Sequence, residues 1–188
     1  MQNELFKLNG SGLIGAIKIW KTDKSNGESV LVADKPNLVT REGASLAAAA
    51  LSGLPNSKIT HMYVAYFAPA TSPTLPTPAK SDTVASYASL ISDPVFGYAR
   101  IPLSTSPDFF SDTGYTDNNV LFTTVLSSDV PTFGAAFEDE VTVYEAGLIS
   151  ARNTNPADDR LFSRATFNPI VYDESFNLTV AWAIKFTA

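Results

Sequence analysis

Most hydrolytic, redox and metal chemistry rests on histidine, cysteine or paired carboxylates, and this chain is nearly bare of the first two. Among its 188 residues there is one histidine, His61, and no cysteine. A Ser-His-Asp site could use His61, but nothing resembling the strand-to-helix elbow that presents a nucleophilic serine occurs. A histidine-based metal site would need partners that the chain does not contain. His61 stands beside Thr60 and Met62 at the start of a strand-like run, which points to a structural or surface place. Acidic residues gather at Glu138-Asp139-Glu140 and at Asp158-Asp159. Two carboxylates could serve glycoside hydrolysis, and a loop of acids could hold calcium. Neither cluster has the calcium-loop spacing with its central glycine. Both flank strand-like runs, where charges commonly guard a turn or an edge, so they read as solvated. Gly10-Ser11-Gly12 and Gly15 lack the Lys-Ser/Thr ending of a phosphate loop.

Glu145 is different. It shares strand alternation with Val141 and Val143 and is therefore expected to point inward, where a carboxylate needs a partner. Arg100 and Arg164 also lie inside strand patterns, and one of them is expected to pair with it. No catalytic, cofactor-binding or metal-binding residue is assigned. The chain is not expected to be an enzyme or to carry a cofactor.

The elements that must position these residues are mostly strands. Leu13 to Trp20 alternates with period two, Lys24-Ser25-Asn26-Gly27 supplies a hairpin turn, and Ser29 to Ala33 returns. Arg41 to Ser52 is the one helix: Thr40 caps it, Glu42 meets the positive end of its dipole, and Gly53 and Pro55 stop it. Further strands are expected at Ile59 to Phe67, Pro94 to Leu103, Val120 to Leu126, Glu140 to Ser150, Arg160 to Phe167 and Phe176 to Phe186. The last alternates most cleanly, with Phe176, Leu178, Val180, Trp182, Ile184 and Phe186 on one side. Between the strands, residues 68–82 hold Pro69, Pro73, Pro76 and Pro78 and read as a loop or an extended arm. Such a series predicts a mainly β domain, an antiparallel β-sandwich or jelly-roll-like fold with one short α-helix, in a single unit over residues 1–188. Residues 1–9 form a possible N-terminal arm.

Composition narrows the partners. The net charge of −6 and scattered basic residues provide no phosphate-neutralising cluster, so direct nucleic-acid binding is not expected. No run of about 18 apolar residues exists to span a bilayer, so no membrane partner is expected. Met1 to Phe6 lacks a basic stretch followed by an apolar core, so no secretory leader is expected. Charged residues are only 17% of the chain, against about 25% in a typical soluble domain, which suits a surface buried against neighbours. Phe109, Phe110 and Tyr115, in a polar turn-rich stretch, and Pro73 and Pro76 are the candidate interface residues.

Asn37-Leu38-Val39-Thr40-Arg41-Glu42-Gly43, the alanine-rich stretch to Leu51-Ser52-Gly53, and Ile59-Thr60-His61-Met62-Tyr63-Val64 follow in an order that resembles structural proteins of tailed bacteriophages. Glu145-Ala146-Gly147-Leu148-Ile149, Arg160 to Phe167 and Leu178 to Phe186 are similar to the same group. The likeness covers most of Asn37 to Phe186, with the proline loop and Ser104 to Asn119 as insertions. It departs at Ala65-Tyr66-Phe67, where relatives often carry a Gly-Thr-Gly turn. The resemblance implies a virion structural protein. The expected form is a capsid cement or decoration protein that bridges major capsid protein subunits and associates with its own copies, a trimer among the options. A tail, collar or fibre-attachment protein is the alternative. A carbohydrate-binding module, with Trp20 as its platform, is the third reading.

Overall fold

Alternating apolar side chains build strands here, and the alanine-rich stretch builds the one helix. The computed structural model describes residues 12–55, 57–68, 74–84, 86, 96–103, 119–126, 140–151 and 158–187. In chain order the elements are β1 (Gly12–Asp23), β2 (Ser29–Val39), α1 (Arg41–Leu51), β3 (His61–Phe67), β4 (Phe96–Pro102), β5 (Asn119–Leu126), β6 (Glu140–Ser150), β7 (Arg160–Asp173) and β8 (Phe176–Thr187). The strands form one antiparallel, nearly closed sheet in the order β4-β3-β6-β7-β2-β1-β8-β5.

β2 is the junction. It pairs with β1 from Ser29 to Asn37 and with β7 only through Leu38 and Val39, opposite Arg164 and Ser163. Two half-sheets result, β5-β8-β1-β2 and β4-β3-β6-β7. Their inner faces share one core, in which Ile17, Ile19, Trp182 and Ile184 from the first meet Met62, Val64, Leu148 and Phe167 from the second. Burying each such side chain contributes roughly 1.5–3 kcal/mol, so this shared interior holds the halves together. β1 and β2 both run further than alternation alone predicts. β2 accommodates Pro36 because β7 pairs only with the two residues at its end, so no ladder bond on that side is lost. At the hairpin, Gly27 takes a φ of 74° and the Asp23 carboxylate accepts from the Ser25 N–H at 2.7 Å.

Helix α1 follows β2 directly and is sewn to the start of β7. Thr40 Oγ1 accepts from the Gly43 N–H at 2.9 Å and donates to the Leu161 carbonyl at 2.7 Å. Glu42 accepts from the Leu161 N–H at 2.8 Å and from Arg160 Nε at 3.1 Å. Leu46, fully buried, plugs the helix into the shared core. Gly43 lies so near β7 that a Cβ there would overlap the Phe162 carbonyl oxygen. Gly43→Ala is therefore expected to cost about 1–3 kcal/mol through displacement of the helix. Urea unfolding measures this, and an unchanged midpoint would mean that the contact can relax freely.

Candidate functional site

β3 and β6, the middle strands of the second half-sheet, are buried on both sides. On its outer face Tyr63, Ala65 and Phe67 of β3, Tyr144 and Ile149 of β6 and Leu161 of β7 form a second apolar cluster, roofed by Leu75 and Val84. Residues 74–84 thus lie as a strap on the chain's own sheet. The strap is tied down where the Arg41 N–H donates to the Lys80 carbonyl at 2.9 Å. Its turn is fixed by the Ala79 N–H, which donates to Asp82 Oδ2 at 2.7 Å. Pro76 is half-buried within it. Pro73, Phe109, Phe110 and Tyr115 lie outside the described residues, as do Glu138 and Asp139.

Under the strap sits a charged cluster. β3 pairs Ala65 with Glu145 but Tyr66 with Val143, leaving Tyr144 as an extra residue. This bulge turns Glu145 to the outer face, opposite to Val141 and Val143, and corrects the expectation that it shares their direction. It is nonetheless closed to solvent, at 0% exposure, and so is Arg164, at 2%. One guanidinium nitrogen of Arg164 donates to Glu145 Oε2, and the other reaches Asp82 Oδ2 at 2.8 Å. Tyr63 completes the cluster by donating its hydroxyl to Glu145 Oε1 at 2.7 Å. Burial pushes the Glu145 carboxyl above its ordinary range; Arg164 and Tyr63 pull it down, and the charge of Asp82 adds to the rise.

Arg100 has a different partner. It meets Asp159 at 2.7 Å, with the Asp159 side chain closed to solvent. The Asp158-Asp159 pair is therefore not simply a solvated face, because burial of Asp159 depends on Arg100 beside it. Tyr98, packed on the same outer cluster, has its hydroxyl pKa pushed to about 12 by burial, with the Arg100 charge opposing. His61 is half-buried, its Nδ1 2.9 Å from Thr60 Oγ1. Burial and then the Arg100 charge lower its pKa.

Glu145 and Arg164 are closed to solvent, and through Asp82 the cluster ties the strap to the sheet. Among the described residues no group of three His, Cys, Asp or Glu side chains is placed to hold a metal ion. An apolar cavity of about 290 Å³ opens beside α1, lined by Leu46, Ala50, Ile59, Phe122, Phe162 and Ile184 among others. The chain matches no protein-family model, no curated protein and no solved structure. Sequence reasoning did not single out Tyr63 or Asp82, and it noted Asp159 only as part of a solvated acidic pair. Of the two missed residues Tyr63 carried a signal, standing in a strand apolar on both sides.

Glu145→Ala is expected to destabilise the protein by about 3–5 kcal/mol, because it leaves a buried guanidinium and phenol short of an acceptor; chemical denaturation measures it. The pH dependence has a definite sign. A carboxyl whose folded pKa is raised takes up its proton earlier when folded than when unfolded. Its contribution therefore rises as pH falls through the raised value and is complete below the unfolded one. On acidification from neutral pH, wild type should gain melting temperature relative to Glu145→Gln. Parallel curves would show that Glu145 does not titrate in this window.

Proposed function

We propose that this chain is a structural protein of a tailed-phage virion, a capsid cement or decoration subunit that binds major capsid proteins and carries no catalytic activity. The observation that carries the reading is the character of the surface. Leu51, Leu54, Val30, Ile14, Leu31 and Val125 are all between 44% and 82% exposed, in a chain with only 17% charged residues. Exposed apolar side chains in such numbers favour a protein that works against other proteins. The segments that carry the phage resemblance also fall where the fold is joined. Val39 meets Ser163, Gly43 packs on Phe162, and Glu145 pairs with Arg164. In this reading the two half-sheets act as the layers of a jelly-roll-like sandwich, rigid enough to repeat one contact across a symmetric shell.

Quantitative mass spectrometry of purified particles tests it. A cement role requires hundreds of copies per virion and stoichiometric rebinding to empty shells. A count below about a dozen, in multiples of three or six, would overturn the cement role in favour of the tail or collar.

A further inference from the structure

Among the described residues no strap crosses the outer face of the half-sheet β5-β8-β1-β2. Three rows of side chains cross it in register: Leu121, Ala183, Ala16 and Pro36; Thr123, Ala181, Lys18 and Asp34; Val125, Thr179, Trp20 and Leu31. All twelve are at least partly exposed. Where an antiparallel sheet faces water, that side is normally polar. Here the charges in the rows are Lys18 and Asp34, and they pair with each other at 3.2 Å. These three rows are therefore balanced in charge as well as largely apolar, with Lys185 in the next row, beside Ile14, at their border.

We infer that this face is the self-association surface of the protein, covered by the same face of a second copy about a two-fold axis parallel to the strands between β1 and β8. That operation lays β1 on β8 of the partner and β2 on its β5 while preserving each row. The resulting matches are complementary. Leu121 falls on a second Pro36, Ala183 on a second Ala16 and Val125 on a second Leu31. The larger Trp20 and Lys18 lie over the small Thr179 and Ala181, while Lys18 and Asp34 keep their own ion pair. The alanines at the centre allow the sheets to approach closely, and pairing the same patch on both subunits closes the assembly at two. Strands about 4.8 Å apart, rising about 3.3 Å per residue, give the three rows about 380 Å² and the whole half-sheet about 700 Å², so the full length of the strands must take part to approach a standard interface of about 800 Å² per partner.

The test uses the isolated full-length chain without capsid, so its failure leaves the virion reading standing. Sedimentation equilibrium should give twice the 20.1 kDa chain mass. Ala183→Arg, on the outer face and away from the core, should keep the wild-type circular dichroism spectrum and weaken the dimer at least about 30-fold, with the melting temperature falling only as far as the lost association requires. Leu121→Cys combined with Pro36→Cys gives an independent reading in a chain with no native cysteine. Within one chain these positions lie three strand spacings apart, about 14 Å, and across the proposed interface they face each other. A bis-maleimide too short for the first distance should therefore yield covalent dimers. A monomeric wild type at about 100 μM, a dimer indifferent to Ala183→Arg, or a trimer would each overturn the inference, as would failure of the linker to join chains.

Discussion

One guanidinium decides how half of this protein is built. Arg164 is closed to solvent, and removing a charged group from water costs several kcal/mol unless partners replace the lost hydration. Two carboxylates replace it here, and each reaches it through a different departure from regular structure. Glu145 comes from a bulge in β6, and Asp82 from a strap that crosses the sheet. Without the bulge, Glu145 would point into the apolar core. In the absence of Asp82, the strap would lose its ionic tie. The strap in turn keeps Tyr63, Phe67 and Tyr144 from water. The Phe67 and Tyr144 rings lie 5.5 Å apart beneath it. Packing and charge are thus mutually dependent in this layer.

Much of the scaffold was legible because period-two patterns survive burial on one side. β8 alternates through Leu178, Val180, Trp182 and Ile184, all buried, with the residues between them partly exposed. The helix was legible from its cap, since Thr40 satisfies a free N–H of the first turn. The direction of Glu145 was not. Its parity with Val141 and Val143 holds only if the strand is regular, and one inserted residue reverses it. A trace of the reversal is present, because the inward residues change from odd Val141 and Val143 to even Ala146 and Leu148. The apolar Tyr144 and Ile149 on the other face disguise it. The pairings of Asp82 and Asp159 were hidden for another reason: each meets an arginine distant in sequence, and no local pattern foretells such a meeting.

The two halves of the sheet solve the same problem differently. A strand apolar on both faces reads as a continuous run, and Met62 to Phe67 is such a run, buried throughout. Its sheet has a layer on each side, the core within and the strap without. The strands of the other half alternate, but their outward residues are alanine, threonine, leucine and valine more often than lysine or glutamate. Such a face tolerates water without being designed for it, and a second apolar surface is what suits it best.

The distribution of charge explains how the surface comes to carry few arginines. A chain with 17% charged residues has few to spare, and this one spends several internally. Arg164 engages Glu145 and Asp82, Arg100 engages Asp159, and Arg160 engages Glu42. These pairs join β7 to β6, the segment ahead of β7 to β4, and β7 to the first turn of α1. Exposed ion pairs contribute little, about 0–1 kcal/mol each, whereas removing one partner of a buried pair costs about 3–5 kcal/mol. Placing the arginines inside therefore makes them specify the fold, and the same placement withdraws them from the surface. The apolar face of β5-β8-β1-β2 and the ionic seams of β7 are two results of a single allocation of scarce charge.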